Sequence, residues 1–250
     1  MIEIKNVSCK IKNKIIINDI SCKIEDTGLT AIIGPNGSGK STLLKCITQL
    51  IKYKGEIQID MHSSLKGFTL AKHLAYLSQT HTILFPHTVF DTVLMGRRPH
   101  APYRYSQNDY DFVNRIIEEM GLSEFYKKPI LNLSGGELQK TFFSRSLVQD
   151  TKYMLLDEPF NNLDPYYQVD IIKKLVELKN KKSIIVVLHD TFLLRYFDRV
   201  ILLKKGQIIN NVFTGELNCE LLEELYDVSF IEYDKGENCF FMPVMQKQKI

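Results

Sequence analysis

One stretch constrains this chain more than any other. Gly34-Pro35-Asn36-Gly37-Ser38-Gly39-Lys40-Ser41 fits G-x-x-x-x-G-K-[ST] without a mismatch. A short, nearly continuous apolar run, Leu29-Thr30-Ala31-Ile32-Ile33, precedes it, and a helix-compatible stretch from Ser41 to Ile51 follows. Strand, glycine-rich turn and helix in that order let successive backbone N–H groups face an anion at the helix N-terminus. The residues from Gly34 to Thr42 are therefore expected to cradle phosphates. Lys40 would reach the β- and γ-phosphates of a nucleotide, and the Ser41 hydroxyl would bind Mg²⁺.

A second segment supplies carboxylates. Tyr153-Met154-Leu155-Leu156 reads as a buried strand that ends in Asp157-Glu158. A carboxylate at that sheet edge is where phosphate-loop proteins hold Mg²⁺, which assigns Asp157. Glu158 beside it is placed to activate a water for attack on the γ-phosphate. Such a pair is often only a capped turn, but the phosphate loop in the same chain favours the chemical reading. A third segment, Leu133-Ser134-Gly135-Gly136-Glu137, contains an S-x-x-E capping box at the start of a helix. The box does not explain Gly135 and Gly136, which cost helix stability. Ser134, Gly135, Gly136 and Glu137 thus read as a second anion site at a helix N-terminus.

The intervening segments give the architecture. The first 33 residues alternate β-branched and polar residues, which predicts antiparallel strands with one wet face. Phe112, Ile116 and Met120 fall at helical spacing within Asp109 to Met120, with Gly121 as C-cap, and a further helix spans about Gly135 to Gln149. In that helix Lys140 falls at a position expected to be exposed. Asp164-Pro165 opens another helix, with a stripe of Val169, Ile172, Leu175 and Val176. Ile184 to Leu188 is a third buried strand, and a hairpin turns at Gly206. Buried strands alternating with helices predict an α/β fold: a phosphate-loop (RecA-like) core with a mostly parallel sheet, an N-terminal antiparallel β subdomain and an inserted α-helical subdomain. The expected organisation is one domain over 1–250. Its core takes about 1–85 and 150–228, the helical subdomain about 86–149, and 229–250 forms a small edge hairpin around Tyr233 to Asn238 rather than a regulatory domain.

Composition excludes several classes. A chain of 250 residues with 44% hydrophobic and 24% charged residues can bury a full core, so it is neither disordered, collagen-like nor a disulfide scaffold. The net charge of +3 gives no electrostatic case for nucleic acid. The longest apolar run, Ile184 to Leu188, is far short of the roughly 20 residues a membrane span needs. Lys5, Lys10, Lys12 and Lys14 leave no apolar signal segment, so the protein is expected to stay where it is made. Cys9, Cys22, Cys46, Cys219 and Cys239 are odd in number and scattered, as free thiols would be. His81 and His87, flanking Pro86, read as loop residues rather than metal ligands.

With these segments in this order, the chain resembles the ATP-binding cassette (ABC) ATPases over nearly all of its length. In that family the Leu-Ser-Gly-Gly signature of one subunit closes on the γ-phosphate held by the phosphate loop of another. The resemblance therefore implies an ATP-dependent head-to-tail homodimer enclosing two ATP molecules with Mg²⁺. Gln79, 39 residues after Lys40, matches the glutamine that contacts Mg²⁺ and the attacking water. Asn162-Leu163-Asp164 matches the D-loop, which places Asp164 at the dimer interface. His189, 32 residues after Asp157, matches the switch histidine, although alone it would read as a capping or core residue. The implied catalytic set is Glu158, His189, Gln79 and Lys40, and the implied metal set is Ser41, Gln79 and Asp157. Two departures stand out. Ile11 occupies the position where relatives stack an aromatic ring on adenine, which predicts loose base selectivity, and Lys140 replaces a common arginine.

Leu94-Met95-Gly96-Arg97-Arg98-Pro99-His100 resembles a stretch found in importer ATPases for iron–siderophore, haem and cobalamin uptake. Ser146 to Gln149 and His189-Asp190 fit the same branch. A purely local reading is a helix that stops at Gly96 before a basic, proline-containing loop. The resemblance implies a motor subunit on the cytoplasmic face of the cell membrane, with separate permease subunits, a substrate-binding protein and no nucleic-acid partner. Alternatives are another cargo such as molybdate or a metal ion, and an ABC ATPase acting on DNA or ribosomes. Those last relatives carry two cassettes or a long coiled-coil insertion, and this chain has neither. A non-catalytic regulator is disfavoured because Lys40, Asp157, Glu158 and His189 occur together.

Overall fold

The computed structural model describes residues 1–63, 65–80, 85–101, 103–161, 163–235 and 238–244, with residues 234, 235, 238 and 239 described by backbone alone. In chain order the elements are β1 (Ile2–Ile11), β2 (Lys14–Ile24), β3 (Gly28–Ile33), α1 (Lys40–Ile47), β4 (Lys54–Ile59), α2 (Gly67–His73), β5 (Leu74–Leu77), α3 (Val89–Leu94), α4 (Gln107–Glu119), α5 (Gly135–Val148), β6 (Tyr153–Asp157), α6 (Pro165–Leu178), β7 (Ser183–Val187), β8 (Arg199–Lys204), β9 (Gln207–Phe213), α7 (Cys219–Tyr226), β10 (Phe230–Lys235) and β11 (Asn238–Pro243). They form two compact units, Met1–Ser64 with Ser183–Ile250, and Leu65–Lys182.

Among the described residues, the first unit carries strands of two larger sheets and one two-stranded sheet. One of the larger sheets is antiparallel, ordered β2-β1-β4. Its strands alternate as the sequence suggested, but the phase slips once in each of β1 and β2. Ile2 and Ile4 are buried, and then so are Val7 and Cys9. Asn6 (φ 49°) and Asp19 (φ 55°) absorb the extra residues as bulges. The Asn6 amide donates to Asp19 Oδ1 at 3.0 Å, and the two backbone N–H groups donate to Ser21 Oγ and Ser8 Oγ. The other sheet sets β3 between β7 and β8, parallel to both, with β9 antiparallel on β8. Leu29, Ala31, Ile32 and Ile33 are fully buried, as a central parallel strand covered on both faces requires. A terminal hairpin, β10–β11, is tied to the 191–196 segment by a hydrogen bond from Thr191 Oγ1 to the Phe241 carbonyl and by stacking of Phe192 on Phe240.

The second unit pairs β5 with β6 in parallel, Leu74 opposite Tyr153 through Leu77 opposite Leu156. Around them, α3 and α4 pack on α5 through Val89, Val93, Val113, Ile117, Phe143 and Leu147. Three capping boxes start these helices: Thr88/Asp91, Ser106/Asp109 and Ser134/Glu137. Helix α4 therefore begins at Gln107, two residues earlier than its apolar spacing alone suggests. The stripe expected on α6 needs correction. Ile171, Ile172 and Leu175 are buried, whereas Val169 and Val176 are 48% and 38% exposed. The apolar face is centred on Ile171 and Ile172, which carries Val169 and Val176 to its margins.

Candidate functional site

The phosphate loop leaves the carboxyl end of β3, the central strand of its sheet, and runs into α1. Gly34 and Gly39 are required there. A Cβ on Gly34 would lie 2.0 Å from the Leu203 carbonyl oxygen, and one on Gly39, at φ 108°, would lie 2.7 Å from Ile17 Cδ1. Lys40 is buried and folds back over the loop. Its ammonium donates to the carbonyls of Gly34 at 2.7 Å and Pro35 at 3.1 Å. Asn36 and Gly37 are exposed, while Ser41 and Thr42 are half-buried on the first turn of α1. The buried Ser38 hydroxyl finds no hydrogen-bond partner among the described residues. A buried polar atom left without a partner costs free energy, and one on a glycine-rich turn that leads into a helix N-terminus is suited to a phosphate oxygen. His189 follows β7, which pairs with β3 in register (Ile32 opposite Val187), so it stands at the same sheet edge as the loop, exposed. Ile11 ends β1, 42% exposed.

In the second unit the parallel register of β5 and β6 brings Gln79 and the Asp157-Glu158 pair to one edge. The Gln79 amide donates to Glu158 Oε2 at 2.6 Å, and Asn161 Nδ2 donates to the same oxygen. Asp157, almost fully buried, accepts from the Tyr76 hydroxyl at 3.2 Å. Burial drives the Tyr76 phenol well above its ordinary value, and the Asp157 charge adds to the shift, so this hydroxyl stays a proton donor. Glu158 itself sits in the left-handed region, φ 54°, a conformation that costs about 1 kcal/mol for such a residue and clusters at functional sites. Tyr76 and Asn161 belong to this cluster, and no sequence motif pointed to them.

The signature turn is formed as read. Ser134 Oγ accepts from the Glu137 N–H at 3.3 Å, and Glu137 Oε2 accepts from the Ser134 N–H at 2.9 Å. Gly135 is exposed and Gly136 is half-buried against the Tyr167 ring. Asp164 caps α6 by accepting from the Tyr167 N–H at 3.1 Å, and Asn162 lies outside the described residues. The exposed placement expected for Lys140 is wrong. The side chain is buried and ion-paired to Asp170 at 2.7 Å, because α6 lies over that face of α5.

The Leu94 to His100 stretch has a structural task that its sequence did not announce. Arg97 Nε donates to Asp109 Oδ1 at 2.7 Å and its Nη1 to the Val148 carbonyl at 2.9 Å, which joins the cap of α4 to the end of α5. Burial opposes the charge on Asp109, but hydrogen bonds from Ser106 and the Arg97 guanidinium outweigh it and hold the carboxyl down at about 2. Phe68, Ala71, Met95, Arg98, Pro99 and Arg145 line a groove of about 440 Å³ beside this stretch. His81 lies outside the described residues, and His87 stands edge-on to Phe85. Cys9, Cys22, Cys46 and Cys219 are free thiols.

A strand–phosphate loop–helix, a second strand ending in carboxylates and a glycine-bearing capped helix define a nucleotide-binding ATPase domain. The chain belongs to the ABC transporter ATP-binding family, whose model, described as "ABC transporter", matches residues 17–161. It is 37% identical over 236 residues to a petrobactin import ATP-binding protein of Bacillus subtilis, covering 92% of this chain and 94% of that one. It is 32% identical over 251 residues to a manganese transport system ATP-binding protein of Halalkalibacterium halodurans, covering 98% and 99%. Among solved structures it resembles a dimeric post-hydrolysis ATP-binding cassette bound to ADP and phosphate, with a TM-score of 0.76, 27% identity and coverage of 86% and 99%. Among the described residues no helix is long and apolar enough to cross a membrane.

Proposed function

We propose that this chain is the ATP-hydrolysing motor of an importer for iron chelates, docked on separate permease subunits at the cytoplasmic face of the membrane and served by a substrate-binding protein. The observation that carries the cargo is the 37% identity across 92% of the chain to a petrobactin import subunit. The manganese relative, matched over 98% of the chain, supports a second reading in which the cargo is a metal ion. Met95, Arg98 and Pro99, which belong to the importer-like stretch, line the groove beside α5, and this supports a permease contact there.

The assigned roles follow the family pattern. The phosphate loop holds the triphosphate through its backbone N–H groups, Ser38 and Lys40. Ser41, Gln79 and Asp157 are hard oxygen donors of the kind that suit Mg²⁺, which when bound would neutralise charge on the β- and γ-phosphates. Glu158 aligns the attacking water, held in place by Gln79 and Asn161, and His189 contacts the γ-phosphate. Ser134, Gly135, Gly136, Glu137 and Asp164 act on the nucleotide of a second chain. Ile11 offers no aromatic platform, so GTP is expected to be hydrolysed at a rate comparable to ATP.

Uptake in cells whose only copy carries Glu158→Gln tests the cargo. The panel is radioiron-loaded siderophores, haem, cobalamin and manganese, with an amino acid as control. Selective loss of an iron chelate supports the proposal, selective loss of manganese transfers it to the second reading, and unchanged uptake across the panel overturns both.

A further inference from the structure

Lys140 is the buried cation that none of the nucleotide chemistry uses. Its side chain is 4% exposed, whereas lysine is among the residues least often buried unless paired. It faces Asp170, Tyr166 and Tyr167 of α6, and Gly121 in the turn after α4 lies against its ammonium. Asp170 Oδ2 is 2.7 Å from its ammonium, and the Tyr167 and Tyr166 ring centres are 4.9 and 5.7 Å away. A desolvated cation over a ring and against a carboxylate is held from two sides.

The same tyrosine touches the signature turn. A Cβ on Gly136 would lie 2.5 Å from Tyr167 Cδ2, so the ring sits flush against that glycine. The Tyr167 N–H in turn is the group capped by Asp164. Three residues beyond Gly136 on α5, Gln139 Nε2 donates to the carbonyl of Pro159, directly after Glu158, at 3.2 Å. Signature turn, D-loop cap and the segment following Glu158 are thus fastened to one another within the second unit, and Lys140 brings a buried charge to the fastening from the α5 side.

We propose that Lys140 is a positioning residue. With Asp170 and Tyr167 it locks the signature turn to the Asp164 cap, so that both reach the nucleotide of the opposing chain as one body. This rests on the proposed roles of the signature and D-loop. Nucleotide binding by the single chain belongs to the phosphate loop of the first unit, whereas the signature acts when a second chain closes on the bound nucleotide, so losing the lock lowers kcat and leaves the single chain's affinity for nucleotide nearly alone.

The test is steady-state hydrolysis by full-length wild type, Lys140→Met, Lys140→Arg and Asp170→Asn, with fluorescent-nucleotide binding to each. Lys140→Met is expected to lower kcat about tenfold or more with the single chain's affinity for the fluorescent nucleotide changed less than about twofold, since small misplacements cost rates of that order. Lys140→Arg keeps the charge and is expected to restore kcat to within about threefold. Should Lys140→Met fail to fold, Asp170→Asn, nearly isosteric, carries the same expectation. Wild-type kcat in the folded Lys140→Met or Asp170→Asn protein overturns the lock, as does a loss that arginine does not rescue. A wild type that binds nucleotide without hydrolysing it overturns the proposed motor function instead.

Discussion

At the scale of single residues, Ser38 separates folding from function most cleanly. Its hydroxyl is buried at the phosphate loop with no partner among the described residues, so the folded chain bears the desolvation of that group and gains nothing from it. Ser38→Ala is therefore expected to leave thermal stability unchanged or raised by up to about 1 kcal/mol, and to weaken ATP binding by about 1 kcal/mol, near fivefold. Melting without nucleotide and a nucleotide titration check the two halves. A melting loss worth more than about 2 kcal/mol would mean that the hydroxyl is already bonded in the fold, and the assignment would fail. The phosphate loop, Asp157, Glu158 and the Ser134 box were legible in sequence because each is contiguous, with its conformation set by its own glycines, caps and apolar run. Lys140 was not. Its partner Asp170 lies thirty positions away on another helix, and a lysine in an amphipathic helix reads as solvated until the covering helix is known. Tyr76 was hidden for the same reason, since only the β5–β6 register brings it to Asp157.

At the scale of elements, long helices and fully apolar strands were readable, and short or interrupted elements were not. Strand β5 has four residues and follows α2 directly, with no turn signal to mark it. Its existence depends on the backbone of β6, not on its own pattern. Helix α4 was found from its apolar spacing, but its anchoring was not, because Arg97 reaches Asp109 from outside the helix. That anchoring is titratable. A carboxyl held lower in the folded chain than in the unfolded one stabilises the fold above its unfolded value and loses that contribution as pH falls toward its folded value. For Asp109 the window runs from the ordinary 3.8 down to about 2. Asp109→Asn is thus expected to be less stable than wild type at neutral pH. The gap should hold steady to about pH 5 and narrow progressively below 4, as urea unfolding at pH 7, 5, 4 and 3 would show. A gap that widens or stays constant toward pH 3 would mean that the pair contributes by packing rather than by charge.

At the scale of the whole molecule, the chain carries one phosphate loop and one signature, and in the proposed mechanism each nucleotide needs both from different chains. Association should then be governed by nucleotide through mass action: triphosphate joins two chains, and hydrolysis releases them. Glu158→Gln tests this with little disturbance of the site. Glu158 Oε2 accepts from both Gln79 and Asn161, and a single amide oxygen can take over both bonds while its NH₂ replaces the other carboxylate oxygen. The variant loses the charge that aligns water and keeps the local fold. Hydrolysis should fall by roughly 10²- to 10⁴-fold, the contribution expected of a positioned base. With Mg·ATP the variant should scatter light as a dimer, and with Mg·ADP as a monomer, while wild type under turnover lies between. A second substitution sharpens the reading. Ser134→Arg puts bulk and positive charge at the signature turn, which belongs to the second unit, and leaves the phosphate loop, which belongs to the first, unaltered. In the Glu158→Gln background it should abolish the ATP-dependent dimer without lowering the affinity of the single chain for nucleotide. A Glu158→Gln protein that binds Mg·ATP and stays monomeric would show that the isolated subunit does not complete its site by pairing, and that closure requires the permease to hold two chains in register.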